Sequence, residues 1–291
     1  MRDLLQFLVA GITIGSVYAL IGVGYYLIFI STRVINFAQG ALVQLGGVMA
    51  LSFLLSWHVP YFLVFFLTFF IMAVIGTFFE RLLVGPSGRS GVLSSILMTV
   101  GGFVFFEQII YVFWTKDELM FPPISGEVPL DVFGVMIIPQ AIWIVGITLL
   151  LLFLLWLFFS HSIFGSALMA AAEKPDAARL MGINVRAMSS ISWALATGIG
   201  GLAGILIAPI TFAGGSMSAE IGIKGFVAVI LGGITHPTGA VLGGITLGIF
   251  EALTTGYLSS GFKDAISLGL LICILAVRPQ GILGGTVREK V

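Results

Sequence analysis

Charge is scarce in this sequence. Asp, Glu, Lys and Arg make up 9% of its 291 residues, against about a quarter of an ordinary soluble domain. The 13 basic and 13 acidic residues cancel. A chain so poor in hydrated groups cannot cover a water-exposed surface, which excludes a soluble globular domain and a disordered chain. Without a net field it cannot gather an anionic polymer, so no nucleic-acid partner is expected. Cysteine is nearly missing as well: Cys273 stands alone, so there is no disulfide or zinc framework. The histidines, His58, His161 and His236, have no partner four residues away, and no metal site is expected from them. No lysine follows a glycine. The Gly-x-x-x-x-Gly-Lys loop that cradles nucleotide phosphates is therefore missing, and no cofactor is assigned to this chain.

What is abundant is apolar surface. Hydrophobic residues reach 59% and the mean hydropathy is +1.16. A helix needs about 20 residues to cross the hydrocarbon core of a bilayer, so this length allows eight to ten crossings and leaves little for an aqueous domain. The 38 glycines let helix backbones approach closely and let helices break where a cavity re-satisfies the backbone. The 25 phenylalanines and 5 tryptophans suit lipid-facing bulk, with Trp57 and Trp114 as interfacial anchors.

Apolar runs cover Leu4 to Ile30, Gly40 to Trp57, Tyr61 to Phe79, Val92 to Trp114 and Val135 to Phe159, then lie near 191–210, 218–234, 240–257 and 262–277. The first has no small-residue cleavage site after a short core and reads as a retained span. The linker from Val84 to Gly91 reads as turn chemistry. Three segments are basic: Arg81 with Arg89, then Lys174, Arg179 and Arg186, and last Arg278, Arg288 and Lys290. These belong on the cytoplasmic side, with Arg33. The loop at 116–134, with Lys116 against Asp117, Glu118, Glu127 and Asp131, belongs outside. Parity then gives nine spans and an outer N-terminus. The weakest is 218–234, which holds Glu220 and Lys224 and reads equally as a half-helix. The expected fold is all-α: one transmembrane bundle over residues 1–291, eight to nine spans, with glycine-rich broken helices. One weak echo joins Gln39–Leu42 and Gly46–Gly47 to Thr238–Val241 and Gly243–Gly244. Paired interrupted segments of this kind point to a transport site, and glycine frequency explains them equally well.

The most polar segment is 160–190. Pro175 suits the first position of a helix, where its missing N–H loses no partner. Glu173 and Asp176 lie near the positive end of that helix and Arg179 near the negative end. Gly182 suits the left-handed residue that ends it. The spacing predicts a short helix at about Pro175 to Met181, too short to span and too charged to bury. It is either a surface knob with a task or an ordinary loop helix.

Other polar residues sit inside apolar runs. Asn36, Gln39 and Gln44 form a polar stripe at the start of the second span, read either as a capped helix start or as the lining of a pathway. Glu107 and Glu251 are costly in a span and face a cavity or a partner. They line the pathway, relay protons, pair with another group, or snorkel to an interface about two turns away. Gly11/Gly15, Gly200/Gly204 and Gly244/Gly248 are explained by helix packing. Gly88-Arg-Ser90-Gly91 resembles the motif of intramembrane serine proteases, but no histidine is placed to serve Ser90 as a base.

Five stretches resemble the permeases of bacterial branched-chain amino acid ABC importers. They are Gly15-Ser-Val-Tyr-Ala-Leu-Ile-Gly22, Val34-Ile-Asn-Phe-Ala-Gln-Gly40, the run Ala-Ala-Arg-Leu-Met-Gly-Ile-Asn-Val at 177–185, Leu231-Gly-Gly-Ile with Pro237-Thr-Gly-Ala-Val-Leu-Gly-Gly244, and Arg278-Pro-Gln-Gly-Ile-Leu-Gly284. They occur in family order across nearly the whole chain, and the pattern is nearest the shorter of the family's two permease types. The resemblance implies a multi-pass protein of the inner membrane that is not itself an enzyme. It implies a second, longer permease, two ATPase subunits that hold the ATP and Mg, and a periplasmic or extracellular solute-binding protein. It makes 160–190 the coupling loop, with Glu173, Pro175, Asp176, Ala178, Arg179 and Gly182 docking on the ATPase. It leaves Asn36, Gln39, Gln44, Glu107 and Glu251 as candidates for the solute pathway. Ala41 departs from the family, which often has an acid there, and Gln39 stands where histidine is common. The implied solute is a branched-chain or neutral amino acid, with urea or short amides as the family alternative. An ion-coupled transporter using Glu107 or Glu251 is the rival mechanism.

Overall fold

A computed structural model describes residues 2–88, 91–114, 117–126, 128–132, 134–211, 213–214 and 217–284. Its helices are α1 (Arg2–Thr32), α2 (Gln39–Leu55), α3 (Tyr61–Phe79), α4 (Gly85–Ser87), α5 (Val92–Phe113), α6 (Pro139–His161), α7 (Ile163–Glu173), α8 (Pro175–Leu180), α9 (Val185–Thr211), α10 (Met217–Gly232), α11 (Pro237–Tyr257) and α12 (Lys263–Val277). The only strands among the described residues are two short pairs. β1 (Glu118–Leu119) pairs with β4 (Ala213–Gly214), and β2 (Leu130–Val132) forms a hairpin with β3 (Val135–Ile137). The all-α polytopic fold is as expected.

The nine apolar runs become nine helices that traverse the bundle in alternating directions, but not nine full spans. Seven are long and apolar enough to cross a membrane, α12 being counted together with the 3-10 turn Ser260–Phe262 that leads into it. The other two, α2 and α10, have 17 and 16 residues, about 25 Å of helix against a core of about 30 Å. They are short because they start inside the protein. The side-chain amide of Gln39, the first residue of α2, donates to the carbonyl of Ala196 at 3.4 Å. Ala196 lies 11 residues beyond Val185, about 16 Å along α9.

Burial sorts the helices into shells. In its most apolar stretch α9 is 83% buried, α6 17% and the α12 segment 6%. So α9, α2 and the second half of α1 form the centre, while α3, α5, α6 and α12 carry phenylalanine and leucine outward. The packing is reciprocal. α1 lies antiparallel on α11 as α3 lies on α9, α2 lies on α9 as α10 lies on α1, and α2 crosses α10. Exchanging α1–α3 for α9–α11, which run in the opposite sense, preserves these contacts, an inverted arrangement known from transporter folds. Glycine permits the closest approaches: a Cβ on Gly15 would stand 2.8 Å from the carbonyl of Gly244, and one on Gly222 would stand 3.1 Å from the Cα of Gly40. Both members of the glycine echo pack on α10, Gly40 near its start and Gly239 and Gly243 near its end.

The two ends of the bundle differ as the charge pattern required. At one end Arg33 donates to the carbonyl of Ala172 at 3.1 Å, Arg81 donates to Ser190 at 3.0 Å, and the Leu283 amide donates to Gly232 at 2.9 Å. The basic segments thus meet there; Arg89, Arg288 and Lys290 lie outside the described residues. At the other end Gln6 donates to the carbonyl of Met136 at 2.7 Å and Tyr61 donates to that of Pro122, so the acidic loop caps the N-terminal end of α1. Lys116 and Glu127 of that loop lie outside the described residues. One expectation fails. The described part of the 84–91 linker is helical: α3 runs on through a single π-helical turn, Glu80–Val84, into α4. Gly85 leaves room for Glu80, whose carboxyl would lie 3.2 Å from a Cβ there.

Candidate functional site

At the basic end, α7 and α8 form a hairpin of short helices. The Ser162 side chain accepts the amide of Phe164 at 3.2 Å and starts α7. Lys174, extended at φ −141°, breaks the helix, and Pro175 opens α8 one residue later. Glu173 closes α7 rather than opening α8. Asp176 and Arg179 form an ion pair at 3.0 Å with both side chains well exposed, so the pair adds little stability. Gly182 takes φ +83°, and its amide reaches the Arg179 carbonyl at 3.0 Å while that of Ile183 reaches Ala178. The helix end read from the sequence is therefore present, one residue short of Met181.

Of the six expected docking residues, Glu173, Pro175, Asp176, Arg179 and Gly182 lie exposed and Ala178 does not. Ala178 is 4% exposed and packs against the body of the protein, so it seats the helix and cannot touch a partner. Leu180 and Met181 are 89% and 82% exposed. Two large apolar side chains held out from a surface turn have no intramolecular purpose and suit a partner's groove. The sequence reading missed them because apolar residues in a loop look like more helix. Beside α8 lies a cleft of about 330 Å³ lined by Arg179, Arg186, Glu80 and Ser189. Glu80 is buried and its carboxylate accepts from Ser189 at 3.1 Å and Ser190 at 2.8 Å. This ties the π-helical turn to α9 beside the hairpin. Ser90 lies outside the described residues.

The interior candidates divide. Asn36 and Gln39 are fully buried and serve the start of α2. Asn36 donates to the Gln39 side chain at 3.2 Å and accepts the Ala38 amide at 3.1 Å. No side chain caps the helix; this local turn replaces the cap. Gln44 is also buried, with neither amide atom hydrogen-bonded among the described residues. It lies apart from the other two, as its five-residue spacing required.

Glu251 is paired. Its carboxylate lies 3.4 Å from Nζ of Lys224, accepts the Tyr18 hydroxyl at 2.8 Å, and accepts from Ser267. Lys224 also meets Glu220 at 2.6 Å and Asp264 at 3.0 Å. One buried ammonium thus joins α10, α11 and α12. A carboxylate so held is a structural strut between helices. The sequence showed Lys224 and Glu251 separately; their meeting is a long-range contact without a local signal.

Glu107 is different. It is partly exposed, accepts from Ser218 at 2.7 Å and engages Tyr111 one turn away. No ion pair to it is formed among the described residues. Ser218 lines a cleft of about 310 Å³ between α5 and α10. Among the described residues no group of His, Cys, Asp or Glu is arranged to hold a metal ion.

Comparison with known proteins agrees with this architecture. Residues 7–275 match the family described as branched-chain amino acid transport system / permease component. The high-affinity branched-chain amino acid transport system permease BraD of Pseudomonas aeruginosa is 32% identical, over 99% of this chain and 98% of the relative. LivH of Salmonella typhimurium, with the same description, is 31% identical over 99% and 97%. The solved structure of PsaBC from Streptococcus pneumoniae in complex with Fab superposes with a TM-score of 0.51 at 16% identity, over 96% of this chain and 93% of that one, a likeness of fold. The chain is a multi-pass membrane transport subunit, not an enzyme, and belongs to the family of branched-chain amino acid transport system permeases.

Proposed function

We propose that this chain is one of two permeases of an ATP-driven importer of branched-chain or other neutral amino acids in the inner membrane. The observation that carries the proposal is the α7–α8 hairpin. A rigid helix of six residues, seated by Ala178, holds Leu180 and Met181 out at the basic end of the bundle. An apolar pair on a short rod fits a hydrophobic groove in a separate ATPase, and α7, which packs on α9 and α1, connects that contact to the centre of the bundle. The chain is a transducer: hydrolysis elsewhere moves the rod, and the rod moves the central helices.

The low density of intramembrane charge suits a pathway that contacts a solute weakly and lets a binding protein set affinity. A longer sister permease completes the pore in this reading, and two ATPases face it from the cytoplasm. The test is reconstitution in proteoliposomes with the sister permease, ATPases and binding protein of the same importer. Leucine uptake should require internal ATP and external binding protein, and should survive a protonophore. Uptake driven by a proton gradient without ATP would overturn the proposal.

A further inference from the structure

The cleft between α5 and α10 has a chemical character that its surroundings lack. Its walls are Tyr25, Phe37, Phe103 and Phe226, and its floor is Gly222 and Ser218. Phe226 stands between Tyr25 and Phe37, with ring centroids 5.9 and 6.3 Å away. The Tyr25 hydroxyl is spent on the Gly222 carbonyl at 3.0 Å, so the ring alone faces the space. Phe103 lies one helical turn from Glu107 on the same face of α5, and Ser218 carries the Glu107 carboxylate at 2.7 Å. An aromatic wall with one carboxylate at its edge, to which no cation is bonded among the described residues, is complementary to an ammonium group on an aliphatic body. About 310 Å³ is at the small end of ligand pockets, which start at about 300 Å³.

We infer that this cleft is a solute contact of the pathway, in which Glu107 receives the ammonium group of a neutral α-amino acid while the aromatic wall receives its aliphatic side chain. The inference rests on the transport reading above and adds the site and the recognised chemistry. Urea and simple amides carry no ammonium group and have no use for Glu107. A lipid tail would fill the wall but leave a partly exposed carboxylate in hydrocarbon, which is costly.

The test uses the complete importer in membrane vesicles, with Cys273→Ser to remove the exposed native thiol and a single cysteine introduced by Phe103→Cys. A second chain carries Val100→Cys, also on the cleft, in case the first does not fold. The thiol is challenged with two methanethiosulfonates, one bearing an ammonium and one a sulfonate. The cationic reagent should react about tenfold faster or more, the scale on which a local charge steers a small ion. Glu107→Gln should abolish that preference, and leucine during turnover should slow labelling. Absence of labelling at both positions, equal rates for the two reagents, or a rate indifferent to leucine would overturn the inference. Leucine uptake by the unmodified importer is measured alongside. If that uptake is missing, the transport reading fails; if it is present and the labelling pattern is not, only the site fails.

Discussion

Nζ of Lys224 and Oε1 of Glu251 lie 3.4 Å apart, and both side chains are almost wholly removed from the surface. Removing one partner strands a charge in a medium that cannot solvate it. Lys224→Met should therefore destabilise the protein by about 3–5 kcal/mol. The double change Lys224→Met with Glu251→Gln should recover much of that loss, because the amide can still bond Tyr18 and Ser267. Thermal unfolding of the detergent-solubilised chain, followed by tryptophan fluorescence, reads both. An unchanged melting temperature for Lys224→Met would mean that the ion pair is not formed.

The helix crossings give a sharper contrast. A Cβ at Gly15 meets the backbone of α11, at 2.8 Å from both the Gly244 carbonyl and the Ile245 Cα, whereas one at Gly146 meets nothing within 4 Å. Gly15→Val should force α1 from α11 and cut the yield of folded protein severely. Gly146→Ala should be neutral, or stabilising by the roughly 0.5–1 kcal/mol that alanine gains over glycine in a helix. Size-exclusion profiles of the two variants in mild detergent check this.

The hairpin separates seating from contact. Ala178→Arg places a charged side chain where 4% of the alanine is exposed, so the rod should lift away and the 174–182 segment should become sensitive to limited proteolysis. Leu180→Asp should leave proteolysis unchanged and still reduce leucine uptake about tenfold or more, as the loss of an interface anchor does. Gly182→Val imposes a β-branched residue on φ +83°, a strain of about 1–3 kcal/mol, and should resemble Ala178→Arg.

How far the sequence reached follows from the range of each signal. The end of α8 was legible because Pro175 and Gly182 act on their own backbone. Which loops share an end of the bundle was legible because lysine and arginine are counted within short segments, and the segments of Arg33 and Arg81 do meet at one end. The faces of the helices were not legible. Helices that are apolar all round, such as α3 and α6, carry no stripe to show which side is buried. Nor did the sequence show that Gln39 starts a helix deep in the bundle, since its depth is set by Gly24 and Ala196 on two other helices. Ala178 was chosen for its place in the motif; it is buried against the body, while the large apolar side chains of Leu180 and Met181 stand exposed.

The most direct test of the force-transmitting rod is cross-linking at its tip. In the complete importer carrying Cys273→Ser and Met181→Cys, a short thiol-to-amine cross-linker should join this chain to the ATPase subunit, and an impermeant thiol reagent added from outside the cell should not reach position 181. Labelling of position 181 from the outer side, or a fully active importer that gives no adduct with the ATPase, would contradict the central claim.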